Sequence, residues 1–112
     1  MELSIAKEYS AYPAGRYTTD GPFNATRFRN DYLVPAIEKA YAKGAHLVVL
    51  LDGVGAYSSS FLEEAFGGLV RKTDLPLEAI SSTLRIEARD PAYFSAKLDA
   101  EQYLSEALDR GR

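Results

Sequence analysis

From Ala45 to Leu51 the chain reads Ala-His-Leu-Val-Val-Leu-Leu, and then it meets Asp52-Gly53. The run does not alternate, and it lacks the three-to-four spacing of a helix surface. A short, continuous apolar run with β-branched residues at its centre reads as a strand buried on both faces. Such strands lie centrally in sheets whose faces are covered by helices. Asp-Gly is turn chemistry and ends the strand. An α/β fold is therefore expected, with this strand delivering the backbone to one edge of the sheet at Asp52.

The flanking segments fit that frame. Leu3 and Ile5 alternate with polar neighbours and predict a short first strand. Pro13, Gly15, Gly21 and Pro22 mark turns around Tyr12 to Pro22, with a hairpin strand expected at Arg16–Thr18. Asn24 suits the N-cap of a helix whose buried face is Ala25, Phe28, Tyr32, Ala36, Ile37 and Ala40. Pro35 predicts a kink or break near Val34, and Gly44 fits the helix end.

Ser60 opens a second expected helix, with Leu62, Ala65, Phe66 and Leu69 as its inner stripe. Asp74–Pro76 reads as a loop. Leu84, Ile86 and Ala88 alternate with Arg85 and Glu87, as in a half-exposed last strand. Asp90-Pro91 starts a third helix, with Phe94, Leu98, Leu104 and Leu108 on one face and a second cap at Asp99. The expectation is a mixed sheet of about four strands covered by about three helices, in one domain over residues 1–112.

Composition narrows the function. A net charge of −3 argues against non-specific nucleic-acid binding, which needs a basic surface. Arg16, Arg27 and Arg29 read as a solvated face. The absence of cysteine excludes disulfides and thiolate chemistry. The start of the chain lacks a basic and apolar leader, and Leu47 to Leu51 is far too short to span a bilayer, so a cytoplasmic protein is expected. His46 enters the buried strand without metal-ligand neighbours. There is no phosphate-binding Gly-Lys-Ser/Thr, no nucleophile elbow, no HExxH and no GxGxxG. Binding rather than catalysis is the expectation, and no cofactor is implied.

The segment from Asp52 to Phe66 carries the candidate site. A buried strand, a glycine-containing turn and three serines at a helix start succeed one another. Ligands bind at the C-terminal edge of open α/β sheets, and free N–H groups at a helix start favour phosphate. Ser58, Ser59, Ser60 and Phe61 are the candidates for phosphorylation and partner binding. Asp52, Gly53 and Arg16 are the candidates for facing a ligand. Ser60 with Glu63 also fits a capping box, in which the serine satisfies backbone N–H groups and nothing more. Gly67-Gly68 inside a helix costs about 1 kcal/mol per glycine against alanine, which points to close packing there.

Several stretches resemble one family. They are Ser4–Ser10, Pro13–Tyr17, Asp20–Phe23 and Arg27–Arg29, then Leu51-Asp52-Gly53 with Tyr57–Leu69. Together they resemble the STAS-like domain family of unknown function (DUF4325), similar in turn to STAS domains and anti-anti-sigma factors. The resemblance implies a small α/β module with a mixed sheet and helices on one side. It implies a regulated serine at a helix start, phosphorylated by a serine kinase of the GHKL ATPase type. Aligning Val54 and Leu62 with that motif's flanking apolar positions puts Ser59 and Ser60 on its serines. Ser58 then stands where the motif has its acid, and Phe61 where it has its glycine.

The favoured expectation is a non-catalytic regulatory module that docks on a protein partner, a GHKL-type ATPase or kinase, through the serine edge. The alternative is a sensor of a small ligand or nucleotide. A homodimer through a strand edge is a further expectation.

Overall fold

The computed structural model describes residues 1–111. Three strands form the sheet among the described residues: β1 (Glu2–Ser4), β2 (Leu47–Leu50) and β3 (Leu84–Glu87). Their order is β1-β2-β3 and both pairings are parallel, with Leu3 beside Val49 and Val49 beside Ile86. The run at Ala45–Leu51 is thus the central strand, as its apolar character demands. The sheet is smaller than the expected four strands and it is not mixed. The missing strand is the hairpin arm at Arg16–Thr18, the one antiparallel element the turn signals had predicted. Its backbone is used elsewhere: the Arg16 and Tyr17 N–H groups donate to Asp20 Oδ2, and the Gly15 and Arg16 carbonyls accept from Ala25 and Thr26. The segment is a clamp on the next helix, closed by a 3₁₀ turn at Thr18–Asp20.

That helix, α1 (25–42), is continuous through the stretches Ala25–Phe28, Arg29–Leu33 and Val34–Ala42. Asn24 caps it, its side chain accepting from the Arg27 N–H at 2.9 Å. Pro35 does not break it. The turn before the proline is π-helical, with the Val34 N–H donating to the Arg29 carbonyl. The wider turn accommodates a ring that would crowd the carbonyl four residues back. Gly44 follows the helix end at φ +65°, where a left-handed cap favours glycine.

Helix α2 (59–71) comprises Ser59–Leu62, the π-helical Glu63–Gly67 and Gly68–Arg71. Phe61, Leu62, Ala65, Phe66, Leu69 and Val70 are all buried, so the helix is covered nearly all round. Helix α3 (Leu77–Thr83) follows the Asp74–Pro76 loop and runs straight into β3. Sequence reasoning assigned no element there, because seven residues without a side-chain cap carry little periodic signal.

Helix α4 (Phe94–Arg110) is unbroken, so Asp99 is not a cap. Asp90 is the cap of the preceding 3₁₀ turn Pro91–Tyr93, accepting from the Ala92 N–H. The inner face of α4 is also not the leucine face expected. Ala100 and Ala107 are buried, while Phe94 and Leu98 are 47% and 66% exposed. Small residues let α4 approach α2 closely, and that approach decides which face turns inward. His46 is exposed at the start of β2, with its ring 3.3 Å from the Arg85 guanidinium.

Candidate functional site

The junction after β2 is a turn held from several sides. Asp52 lies at the strand end, but its carboxylate faces the protein: Oδ1 accepts from the Arg89 N–H at 2.9 Å and Oδ2 from the Asp90 N–H at 2.7 Å. Burial pushes this carboxyl up, yet the two backbone donors outweigh it and hold it below its ordinary range. Gly53 has φ +93°, and an added Cβ would stand 3.0 Å from the Ala6 Cβ. Both residues are therefore accounted for by turn geometry.

Two tyrosines fix the rest of the loop. Tyr57 donates its hydroxyl to the Leu51 carbonyl at 2.8 Å, and Tyr93 donates to the Val54 carbonyl at 2.6 Å. Burial raises the Tyr57 hydroxyl far above its usual value, so it stays a neutral donor. From the N-terminal side, the Ala11 carbonyl accepts from the Gly55 N–H, and the Tyr12 ring lies where a Cβ on Gly55 would fall.

The three serines have different employments. Ser58 is the N-cap of α2, with its hydroxyl oxygen accepting from the Phe61 N–H at 3.1 Å. The cap thus sits two residues earlier than the Ser60–Glu63 box expected from sequence. Ser60 is half-buried in the first turn. Ser59 is the first helical residue, is exposed, and has no hydrogen-bond partner for its hydroxyl among the described residues. Phe61 is fully buried, packed against Phe28 and Tyr57 at ring separations of 5.9 Å and 6.3 Å. It anchors the helix start and offers no surface.

A recess lies on each side of this loop. One, of about 580 Å³, is open and mostly apolar, with Tyr12, Pro13, Tyr57 and Ser58 on its walls. The other, of about 310 Å³, lies between the starts of α2 and α4 and is lined by Tyr57, Ser59, Tyr93, Ser95 and Asp99. Tyr12 is 78% exposed at the mouth of the first. Sequence reasoning placed the serines but missed Tyr57 and Tyr93, whose roles depend on contacts from a distant loop.

Arg16 is not brought to Asp52. Its guanidinium pairs with Glu63 at 2.7 Å, one turn into α2. Arg71 grips the same carboxylate with two hydrogen bonds of 2.6 and 2.9 Å. The Arg71 and Arg16 hydrogen bonds pull the Glu63 carboxyl down to about 2. Beside it, Glu64 is buried and pairs with the equally buried Arg29 at 2.7 Å and with Lys72 at 3.0 Å. Burial alone would raise the Glu64 carboxyl, and those two donors reverse the direction. Arg29 also donates to the Glu64 carbonyl at 3.1 Å. Arg29 is thus no part of a solvated basic face.

The two ion pairs explain the double glycine. A Cβ on Gly68 would stand 2.6 Å from Arg29 Nη1 and 3.0 Å from Glu64 Oε2. A Cβ on Gly67 would stand 2.4 Å from Glu63 Oε2 and 2.8 Å from Arg71 Nη1. Close approach at Gly67-Gly68, expected from sequence, is what the structure has.

The family model for the STAS-like domain of unknown function (DUF4325) matches residues 24–93, and the chain belongs to that family. The matched span holds β2, the 52–58 loop, α2 and β3, while the stretches Ser4–Ser10, Pro13–Tyr17 and Asp20–Phe23 lie before it. No curated protein and no solved structure matches the chain. No helix among the described residues is long and apolar enough to cross a membrane.

Proposed function

We propose that this member of the STAS-like family is a regulatory protein-interaction module whose switch is Ser59. The supporting observation is the division of labour at the start of α2. Ser58 supplies the cap, which leaves the Ser59 hydroxyl exposed and unemployed. A phosphoryl group there would add about −1.5 to −2 charges beside free helix N–H groups, where the dipole favours it. It would also stand at the rim of the recess lined by Tyr57, Tyr93 and Asp99. Phosphorylation then changes the charge of the docking edge without dismantling the helix. The partner, on the family resemblance, is a GHKL-type ATPase or serine kinase.

The test is intact-mass measurement of the protein recovered from its own cells, with pull-down of partners by wild type, Ser59→Ala and Ser59→Glu. One phosphoryl group lost in Ser59→Ala, with partner retention differing between Ala and Glu, is the expected result. A phosphoryl group on Ser60, or retention equal for all three, would refute the assignment.

The sensor reading rests on the recess of about 310 Å³ itself, where two helix starts, two serines and two tyrosines converge. The Asp99 carboxylate on its wall favours a ligand with hydroxyl or amine groups over a bare anion. Thermal shift against nucleotides and nucleosides distinguishes the readings, because a ligand raises stability by RT ln(1 + [L]/Kd). Flat melting temperatures across the panel would leave the switch reading in possession.

A further inference from the structure

The sheet has two edges, and they are treated differently. In the parallel ladder, Val48 donates to the Met1 carbonyl, so Met1 and Leu3 turn their backbone groups toward β2 while Glu2 and Ser4 turn theirs outward. The outward Ser4 N–H is then closed by the Glu8 carboxylate at 2.7 Å, and the chain leaves the sheet in a π-helical turn at Ile5–Tyr9. That edge is shut.

On the other edge, Leu51 donates to the Glu87 carbonyl. Arg85 and Glu87 therefore turn their backbone groups toward β2, and Leu84, Ile86 and Ala88 turn theirs outward. An apolar groove of about 250 Å³ runs along this edge. All four consecutive residues of β3 border it, which places it along the strand's open side rather than on one face. Its far wall is α4, with Leu104 and Leu108 half-buried there. The groove is partly guarded: the Arg85 guanidinium folds back on the Leu84 carbonyl at 2.9 Å.

The geometry points to a second copy of this chain as the occupant, joined β3 to β3 in antiparallel fashion about a two-fold axis at Ile86. The register centres on Ile86, which would exchange both backbone hydrogen bonds with its copy. Leu84 adds none to the ladder, because its N–H donates to the Ile80 carbonyl and its own carbonyl accepts from Arg85. Arg85 then lies directly opposite Glu87 of the copy, twice per dimer, on the sheet face away from the core. The sequence Arg-Ile-Glu is thus self-complementary in charge in this register, and opposite charges facing across strands are favourable. Leu104 and Leu108 would meet their copies across the axis. A two-fold contact uses the same surface on both copies, so it closes as a dimer.

The experiment is sedimentation equilibrium of the full chain up to on the order of 100 μM, with Arg85→Glu, Glu87→Arg and the double charge swap. Arg85 is half-exposed and Glu87 exposed, so the variants are expected to keep the parent's circular dichroism spectrum. A dimer is expected for wild type. Each single variant puts two like-charge pairs at the axis and should weaken it at least about tenfold, and the swap should return it to within about threefold. Amide exchange at Ile86 should slow as concentration rises. A monomer throughout, a dimer indifferent to the single changes, or no rescue by the swap would overturn the inference. None of these outcomes bears on Ser59, which does not line the groove.

Discussion

Gly68→Ala sets two effects of opposite sign against each other. In a helix interior alanine is better than glycine by about 1 kcal/mol, so propensity alone predicts a more stable protein. The added methyl, however, would stand 2.6 Å from Arg29 Nη1, against 3.4 Å for ordinary contact. The guanidinium must withdraw by about 0.8 Å, the difference of those two distances. A surface arginine would do so freely. This side chain is 4% exposed, and its Nη1 holds two hydrogen bonds to Glu64, at 2.7 and 3.1 Å. A hydrogen bond to a charged group is worth about 1.5–3 kcal/mol. Losing one such bond, offset by the propensity gain, predicts a net loss of about 0.5–2 kcal/mol. With a urea slope of about 1–2 kcal/mol per M, the midpoint falls by about 1 M. Urea unfolding followed by circular dichroism reads this directly. In an Arg29→Met, Glu64→Met background the obstruction is gone, and Gly68→Ala should stabilise by about 1 kcal/mol. A single Gly68→Ala variant as stable as the parent would refute the claim that Gly68 is there to seat the buried pair.

Three further outcomes are expected. The Glu63 carboxyl, held at about 2 by Arg71 and Arg16 against an ordinary 4.5, contributes stability that is present above about pH 4.5 and lost as pH falls toward 2. Urea midpoints across that window should fall less steeply in Glu63→Gln than in the parent. Ser58→Ala removes the α2 cap and should cost about 1 kcal/mol, while Ser59→Ala should stay within about 0.5 kcal/mol; equal losses would show that the cap is misassigned. Asp52→Ala frees the Arg89 and Asp90 N–H groups and should cost about 1 kcal/mol, with faster amide exchange at both positions.

The sequence by itself determined the central strand, the helix start at Asn24, the capped turn at Asp90 that leads into α4, and the tight packing at Gly67-Gly68. Each rests on chemistry local in the chain: an apolar run, a side chain that caps its own neighbours, a glycine where a helix would rather have alanine. It also made the candidate region legible, since a strand, a turn and a serine cluster follow one another within a short stretch. Tertiary structure alone decided which serine does what, because the cap position depends on where the 52–58 loop is pinned by Tyr57, Tyr93 and Ala11. It decided that Asp52 serves a distant turn, that Arg16 reaches Glu63, and that Arg16–Thr18 clamps a helix instead of pairing in a hairpin. It turned the alanines of α4 inward and left Phe94 and Leu98 outside. In every one of these the partner lies far along the chain, and a long-range contact leaves no periodic mark on the residues that make it.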